Sequence, residues 1–310
     1  MAGGTSFSRW LHRASDSDVW WSFRSSSLTI AAAVVTALIL ILSFLSPLLA
    51  PHTPFDPSTL SLSDGLKPPA WMPDGDWAFP LGTDDQGRDV LSAIMYGTRL
   101  SLVVGMASVF VSMLIGITLG LVSGYVGGVT DAVIMRIADV QLTFPAILVA
   151  LLIDGVVRGL ISVQRHDEIA LFVIIGAIGL SFWVQYARTI RGSVMVEKNK
   201  EYVQAARVIG LSPVLIMVRH VLPNVTGPIL VIATINLGLA VISEATLSFL
   251  GVGLPSTQPS LGTLIRLGNE LLQSGEWWIT LFPSITLAAL VLAVNLLGDW
   301  LRDALNPKLR

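Results

Sequence analysis

The residues best placed for chemistry or contact lie between Glu201 and Asn224, EYVQAARVIGLSPVLIMVRHVLPN, a polar island of helical character between two long apolar runs. The candidate contact residues are Glu201, Tyr202, Gln204, Ala205, Ala206, Gly210, Leu211, Ser212 and Pro213. Glu201 to Ile209 has good helix formers, and Gly210 is placed to end that helix in a left-handed cap. Ser212 and Pro213 form an N-cap and N1 pair that starts a second helix, running to the break at Pro223. The expectation is two short helices with a sharp bend at Gly210, and a smooth surface at Ala205 and Ala206 that another body approaches closely. A plain connector between helices needs only roughly 2–8 residues. The island is therefore read as a contact surface.

Residues with other chemical capacity are sparse. The histidines, His12, His52, His166 and His220, are scattered and lack ligand spacing such as HExxH. Cysteine is absent, which excludes disulfides and thiolate metal sites. No metal site and no bound cofactor are expected. Asp84, Asp85 and Asp89 invite a calcium reading, but their spacing is not that of an EF-hand loop, and helix capping and turn formation are the preferred use. Thr83 and Gln86 have capping-box spacing and are read as a helix start. None of the four lysines, Lys67, Lys198, Lys200 and Lys308, follows a glycine, so the chain holds no GxxxxGK[ST] phosphate loop. A GxSxG elbow is also missing. The chain alone is expected to have no catalytic residues.

The elements that carry these residues are apolar helices. Hydrophobic residues make up 53% of the 310-residue chain and charged residues 13%, about half the charged fraction of a soluble domain, which points to an all-α polytopic membrane protein. The net charge of −2 indicates no nucleic-acid partner. Six spans are expected. The first, Leu28 to Ala50, is longer than a signal-peptide core and is read as a retained anchor, with Trp20 and Trp21 at the interface. The others run at about Leu100–Val126, Val133–Ile153, Ile169–Ala187, Val225–Leu250 and Trp277–Trp300.

In domain terms this gives a segment 1–27, an anchor 28–50 and a proline-rich loop 51–97. A five-helix core 98–303 follows, carrying the island 201–224 and a loop 251–276, and then a tail 304–310. Leu261 to Leu272 is too short to cross and is taken as an interfacial or re-entrant helix. Asn306 and Pro307 end the last helix.

Within the second span, Ser108, Ser112, Gly116, Gly120, Gly124 and Gly128 recur every fourth residue and form a stripe of small side chains. Such a stripe permits close helix packing, either inside the chain or against a partner subunit. Gly116, Gly120 and Gly124 are the candidate packing residues. In the third span Arg136 and Asp139 share one face and are expected to pair with each other.

Six spans put both termini on one side. The N-terminus, the second-to-third turn, the island loop and the C-terminus hold 13 of the 19 Lys and Arg residues, counting Arg136. By the positive-inside rule both termini and the island are cytoplasmic, and the proline-rich loop faces outward.

QAARVIG at 204–210 and LP at 222–223 resemble the EAA loop, EAA-x3-G-x9-I-x-LP, of ABC importer permeases. Gln204 stands at the usual Glu and His220 at the usual Ile. LGTDDQGRDVLSAIMYGTRLSL, RHVLPN, SEATLSFLGVG and NLLGDWLRDALNPKL resemble the signature stretches of the C-type permease of the dipeptide/oligopeptide (peptide/nickel) group, over roughly residues 80 to 310. Ala93, Leu261 and Asn306 depart from the common Arg, Trp and Asp.

The resemblance implies a type I importer permease fold whose island forms the coupling helices. It implies two homologous permeases, two ABC ATPase subunits that bind ATP and Mg, and an extracytoplasmic substrate-binding protein. Peptides are the implied substrate, with nickel or another small solute as the alternative. A secondary transporter working without ATP is the rival class, and no convincing internal repeat supports it.

Overall fold

The structure is a computed structural model that describes residues 18–161, 163–255 and 258–304. Arg9, His12, Arg13 and the Asn306-Pro307 stop lie outside them. The described residues form helices α1 (Asp18–Ser25), α2 (Ser27–Phe44), α3 (Val90–Val126), α4 (Gly128–Leu142), α5 (Ala146–Leu160) and α6 (Val163–Glu197). There follow α7 (Glu201–Val208), α8 (Pro213–Ile216), α9 (Thr226–Phe249), α10 (Leu261–Leu271) and α11 (Trp278–Ala304). Among the described residues the only bridge pairing is the isolated one between Thr83 and Asp89. Five helical stretches are long and apolar enough to cross a membrane, and a sixth crossing is present if α4 and α5 count as one broken span.

The small-residue stripe explains the centre of the bundle. A Cβ on Gly116 would lie 2.4 Å from Tyr186 Cβ, one on Gly120 2.7 Å from the Ala187 carbonyl oxygen, and one on Gly124 2.8 Å from Val194 Cβ. Those distances are closer than real side chains approach, so only glycine lets α3 seat on α6. Ser112 Oγ adds a hydrogen bond to the Gly179 carbonyl at 2.9 Å. The stripe is thus used within the chain. Gly128 does not join it: Gly127 ends α3 at φ +73°, and nothing lies within 4 Å of a Cβ at Gly128.

Two charged and capping expectations change. The third span is not one rod, because α4 and α5 meet at 92°. Pro145 supplies the reason: it lacks an N–H and disfavours helical geometry at Phe144. Asp139 pairs with Arg188 of α6 at 2.5 Å rather than with Arg136, since the neighbouring helix brings a guanidinium closer than its own does.

At the proline-rich loop, Thr83 starts no helix. Its hydroxyl donates to the Asp64 carbonyl at 2.6 Å and accepts from Lys67 N–H at 2.8 Å, pinning the loop. Asp89 caps α3 instead, accepting from Ser92 N–H at 2.9 Å, so the helix begins ten residues before the apolar run. Asp84 accepts from the backbone of Gln86 and Arg88, each at 2.9 Å, and pairs with the Arg88 side chain. These are the turn-forming roles expected of the carboxylates.

Near this loop α3, α9 and α10 are close-packed around one carboxyl group. Glu244 of α9 is fully buried and accepts from Ser101 and Ser248 hydroxyls, both at 2.7 Å. Ser101 also accepts from Leu261 N–H at 3.2 Å, so one carboxyl gathers α3, α9 and the start of α10. A Cβ on Gly262 would meet the Ala245 carbonyl at 2.2 Å, which lets α10 lie directly on α9.

Candidate functional site

The polar island folds at the opposite end of α6 and α9. Gly210 has φ +81°, in the left-handed region. Its N–H bonds the Arg207 carbonyl at 3.0 Å, and Leu211 N–H bonds the Ala206 carbonyl at 3.1 Å. This is the Schellman arrangement, in which the two amides after the helix satisfy its last free carbonyls. No atom lies within 4 Å of a Cβ at Gly210, so φ alone demands glycine there. The chain then turns into α8, where the Ser212 hydroxyl accepts from Leu215 N–H at 3.4 Å and Pro213 occupies the first turn.

The second helix is not a short rod ending at Pro223. After Ile216 the chain widens into a π turn (Met217–Val221), tightens into a 3-10 turn (Leu222–Val225), and continues into α9. Pro223 has no N–H for the α ladder, and the change of pitch lets the chain pass it without stopping. The island is therefore mechanically continuous with the following span.

Its candidate residues divide by direction. Glu201 opens α7 as an exposed acidic residue in the first turn, where the helix dipole favours it. Gln204 is exposed and donates to the Asn199 carbonyl at 3.2 Å. Ala205 is exposed, but Ala206 is only 3% exposed and packs with Val203, Val194 and Tyr186, so the smooth surface expected of the two alanines is carried by Ala205 alone. Leu211 packs against the same core cluster.

Tyr202 points its hydroxyl inward. It donates to Glu197 Oε1 at 2.5 Å and accepts from Asn224 Nδ2 at 3.2 Å, while Asn224 also donates to the His220 carbonyl at 2.7 Å. Lys200 pairs with Glu197 at 2.9 Å. Desolvation, reinforced by the Glu197 carboxylate, pushes the Tyr202 phenol up to about 12, so it stays a proton donor at any physiological pH. This clasp fixes α7 to the end of α6 and to the turn that enters α9.

A second tie reaches α3. Arg207 Nε donates to Tyr125 Oη at 3.2 Å and its guanidinium lies 4.9 Å from that ring's centre, while Lys198 Nζ donates to the Gly124 carbonyl at 2.6 Å. Arg191 and Asp131 pair at 2.5 Å beside them, and Ser123 donates to the same carboxylate. The first short helix is thus tied to α6, to α3 and to the turn that enters α9.

Outside this framework the surface is apolar. Val208 is 87% exposed, Ile209 73% and Val214 65%, with Leu215 and Val218 also exposed around Gly210. Large apolar side chains grouped this way on a polar turn mark a contact face. Sequence reasoning named the turn but missed Val208 and Ile209, although two β-branched residues just before a helix-ending glycine are a readable signal. It also missed Glu197, Asn224 and the Arg207–Tyr125 contact. The last joins residues 82 positions apart and leaves no local trace.

Comparison with known proteins accords with this geometry. Residues 116–310 match the family described as binding-protein-dependent transport system inner membrane component, and residues 17–69 match the N-terminal TM domain of oligopeptide transport permease C. The chain is 36% identical to the dipeptide transport system permease protein DppC of Haemophilus influenzae, over 94% of this chain and 95% of that protein. It is 35% identical to the oligopeptide transport system permease protein OppC of Bacillus subtilis, over 94% and 90%. Among solved structures, a chain of the MetNI methionine ABC transporter in inward-facing conformations is similar in fold, with a TM-score of 0.55 at 18% identity over 69% of this chain and 96% of that one.

Proposed function

This chain belongs to the family of binding-protein-dependent transport system inner membrane components, and from that premise we propose that it is the permease subunit of an ATP-driven importer of di- and oligopeptides. The observation that carries the proposal is the apolar knuckle of Val208, Ile209 and Val214 around Gly210, beside a helix tied to α6, to α3 and to the turn into α9. A surface of that kind receives force from a partner and passes it to the spans.

In this reading the knuckle docks on a separate ATPase subunit, which binds ATP and Mg. The chain contributes half of the pathway, a second homologous permease the other half, and an external binding protein delivers substrate. Both termini and the knuckle face the cytoplasm, as the placement of 13 of 19 basic residues favours. The names of the relatives DppC and OppC support peptides as the substrate class.

ATP-driven closure of the ATPases moves α7 as a rigid piece, and the clasp transmits that motion to α6 and α9. Glu201, Tyr202, Gln204, Ala205, Ala206, Gly210, Leu211, Ser212 and Pro213 build the coupling element. Tyr202, Ala206 and Leu211 brace it from inside, and Ala205 and Pro213 lie on its exposed side.

Gly210→Val tests the coupling. A Cβ there meets no atom, but the side chain opposes φ +81° at a cost of roughly 1 kcal/mol or more. The expected result is an assembled complex whose ATPase is no longer stimulated by substrate-loaded binding protein. Full stimulation in an intact complex refutes the coupling role.

A further inference from the structure

At the end of the bundle opposite the knuckle, a cavity of about 500 Å³ is lined by Phe55, Tyr96, Arg99, Leu100, Val103, Gln258 and Pro259. That volume lies within the range of small-ligand sites. Tyr96, Arg99, Leu100 and Val103 follow one another on one face of α3 at helical spacing. Phe55 reaches in from the proline-rich loop and meets Tyr96 edge to face, with ring centres 6.0 Å apart. Gln258 and Pro259 close the rim from the loop between α9 and α10.

Among the described lining residues Arg99 is the one cation, and none is a carboxylate. Among the described residues, no acidic side chain lies within ion-pair distance of Arg99. By contrast Arg88, just before α3, is paired with Asp84. An exposed guanidinium without a carboxylate, above an aromatic and aliphatic wall, is chemically suited to a molecule that ends in a carboxylate and carries an apolar side chain. Three of the seven described lining residues come from loops and four from α3, so the cavity lies where α3 meets the loops.

We infer that this cavity is a substrate subsite, in which Arg99 holds a peptide's terminal carboxylate, Gln258 lies at the rim, and Phe55, Tyr96, Leu100 and Val103 receive an apolar side chain. The inference rests on the permease reading and adds to it a defined contact on this chain, at the outward mouth of the pathway. It also assigns a preference: peptides with a free C-terminus engage the subsite and their amides do not.

The absence of cysteine makes a direct test clean. Val103→Cys is introduced, the complex with its partner chains is placed in zwitterionic lipid nanodiscs without binding protein, and labelling of this chain is followed by mass spectrometry. Two impermeant thiol reagents of equal size are compared, one carrying a sulfonate and one a trimethylammonium, so that the rate ratio cancels the thiol's own reactivity. The sulfonate reagent is expected to react about tenfold faster, and Arg99→Gln to bring the ratio near one. A free dipeptide at ten times its half-protecting concentration is expected to slow labelling about tenfold, whereas its C-terminal amide does not. Protection disappears in Arg99→Gln.

Equal protection by acid and amide, no protection by millimolar dipeptide, or a rate ratio near one with Arg99 present overturns the inference. So does protection that follows anionic lipid in the nanodisc without peptide, which assigns the guanidinium to a headgroup. If Val103→Cys does not assemble, Gln258→Cys at the exposed rim carries the same comparison. Peptide-stimulated ATPase, measured with binding protein on the same preparation, separates the two readings. Stimulation without protection removes only the subsite, and a complex that binds no ATPase chains removes the permease assignment itself.

Discussion

The two ends of this bundle differ in what they leave exposed. Around Glu244, α3, α9 and α10 meet through buried hydroxyl contacts and a backbone approach that only Gly262 permits, with no side chain left to solvent. Around Gly210, a buried apolar cluster with Val203, Ala206, Ile216 and Val221 is tied by partly exposed polar links, Tyr202 to Glu197 and Asn224 and Arg207 to Tyr125, and further apolar side chains are left facing outward. Around Glu244 the first end has the construction of a core, with both carboxyl oxygens accepting from buried hydroxyls. The second leaves Val208, Ile209 and Val214 exposed, the surface that the proposed function assigns to a partner. The difference locates where the molecule is one body and where it is a component.

Substitutions along the axis between the two ends test that contrast. The largest effect is expected for Gly116→Leu at the α3–α6 seam, where the new side chain meets Tyr186 and the Trp183 carbonyl and costs about 3 kcal/mol or more, the upper end of overpacking. The matched control is Gly176→Leu, which has open space around it and is expected to leave the thermal midpoint of the detergent-purified complex nearly unchanged. If both variants melt alike, the seam is not close-packed.

At the Glu244 end, Glu244→Ala strands two buried hydroxyls and opens a cavity, with an expected loss of about 2–3 kcal/mol. Glu244→Gln keeps the volume and an acceptor and is expected to lose clearly less by the same melting assay. At the exposed end, Tyr202→Phe removes two hydrogen bonds and is expected to cost about 1–2 kcal/mol. Its signature lies in coupling: basal ATPase of the complex persists while stimulation by loaded binding protein falls. A double-mutant cycle with Asn224→Ala that proves simply additive would show that the clasp is not one unit. The smallest effect is expected for Gln204→Glu, an exposed change within about 0.5 kcal/mol in stability, since only its bond to the Asn199 carbonyl is at stake.

What the sequence made legible follows from the range of the interactions involved. The spans, the Gly210 cap and the Ser212–Pro213 start depend on neighbours within one or two turns, and hydropathy and capping chemistry report those directly. The small-residue stripe was equally plain, though its partner could be chosen only once α6 was seen lying on it. The bend at Pro145, the Asp139–Arg188 pair and the inward turn of Ala206 depend on which helix lies alongside, which no local pattern records. Pro223 misled for a subtler reason: proline ends an α ladder, but a π turn followed by a 3-10 turn carries the chain past it.

The length of α6 has a further consequence. Its apolar run ends near Ala187 and the helix continues ten residues to Glu197, which at 1.5 Å per residue is a projection of about 15 Å. Arg188 and Arg191 lie in the first turns of this projection, and the clasp lies at its far end. A push on the knuckle therefore acts on α6 through a lever about three turns long.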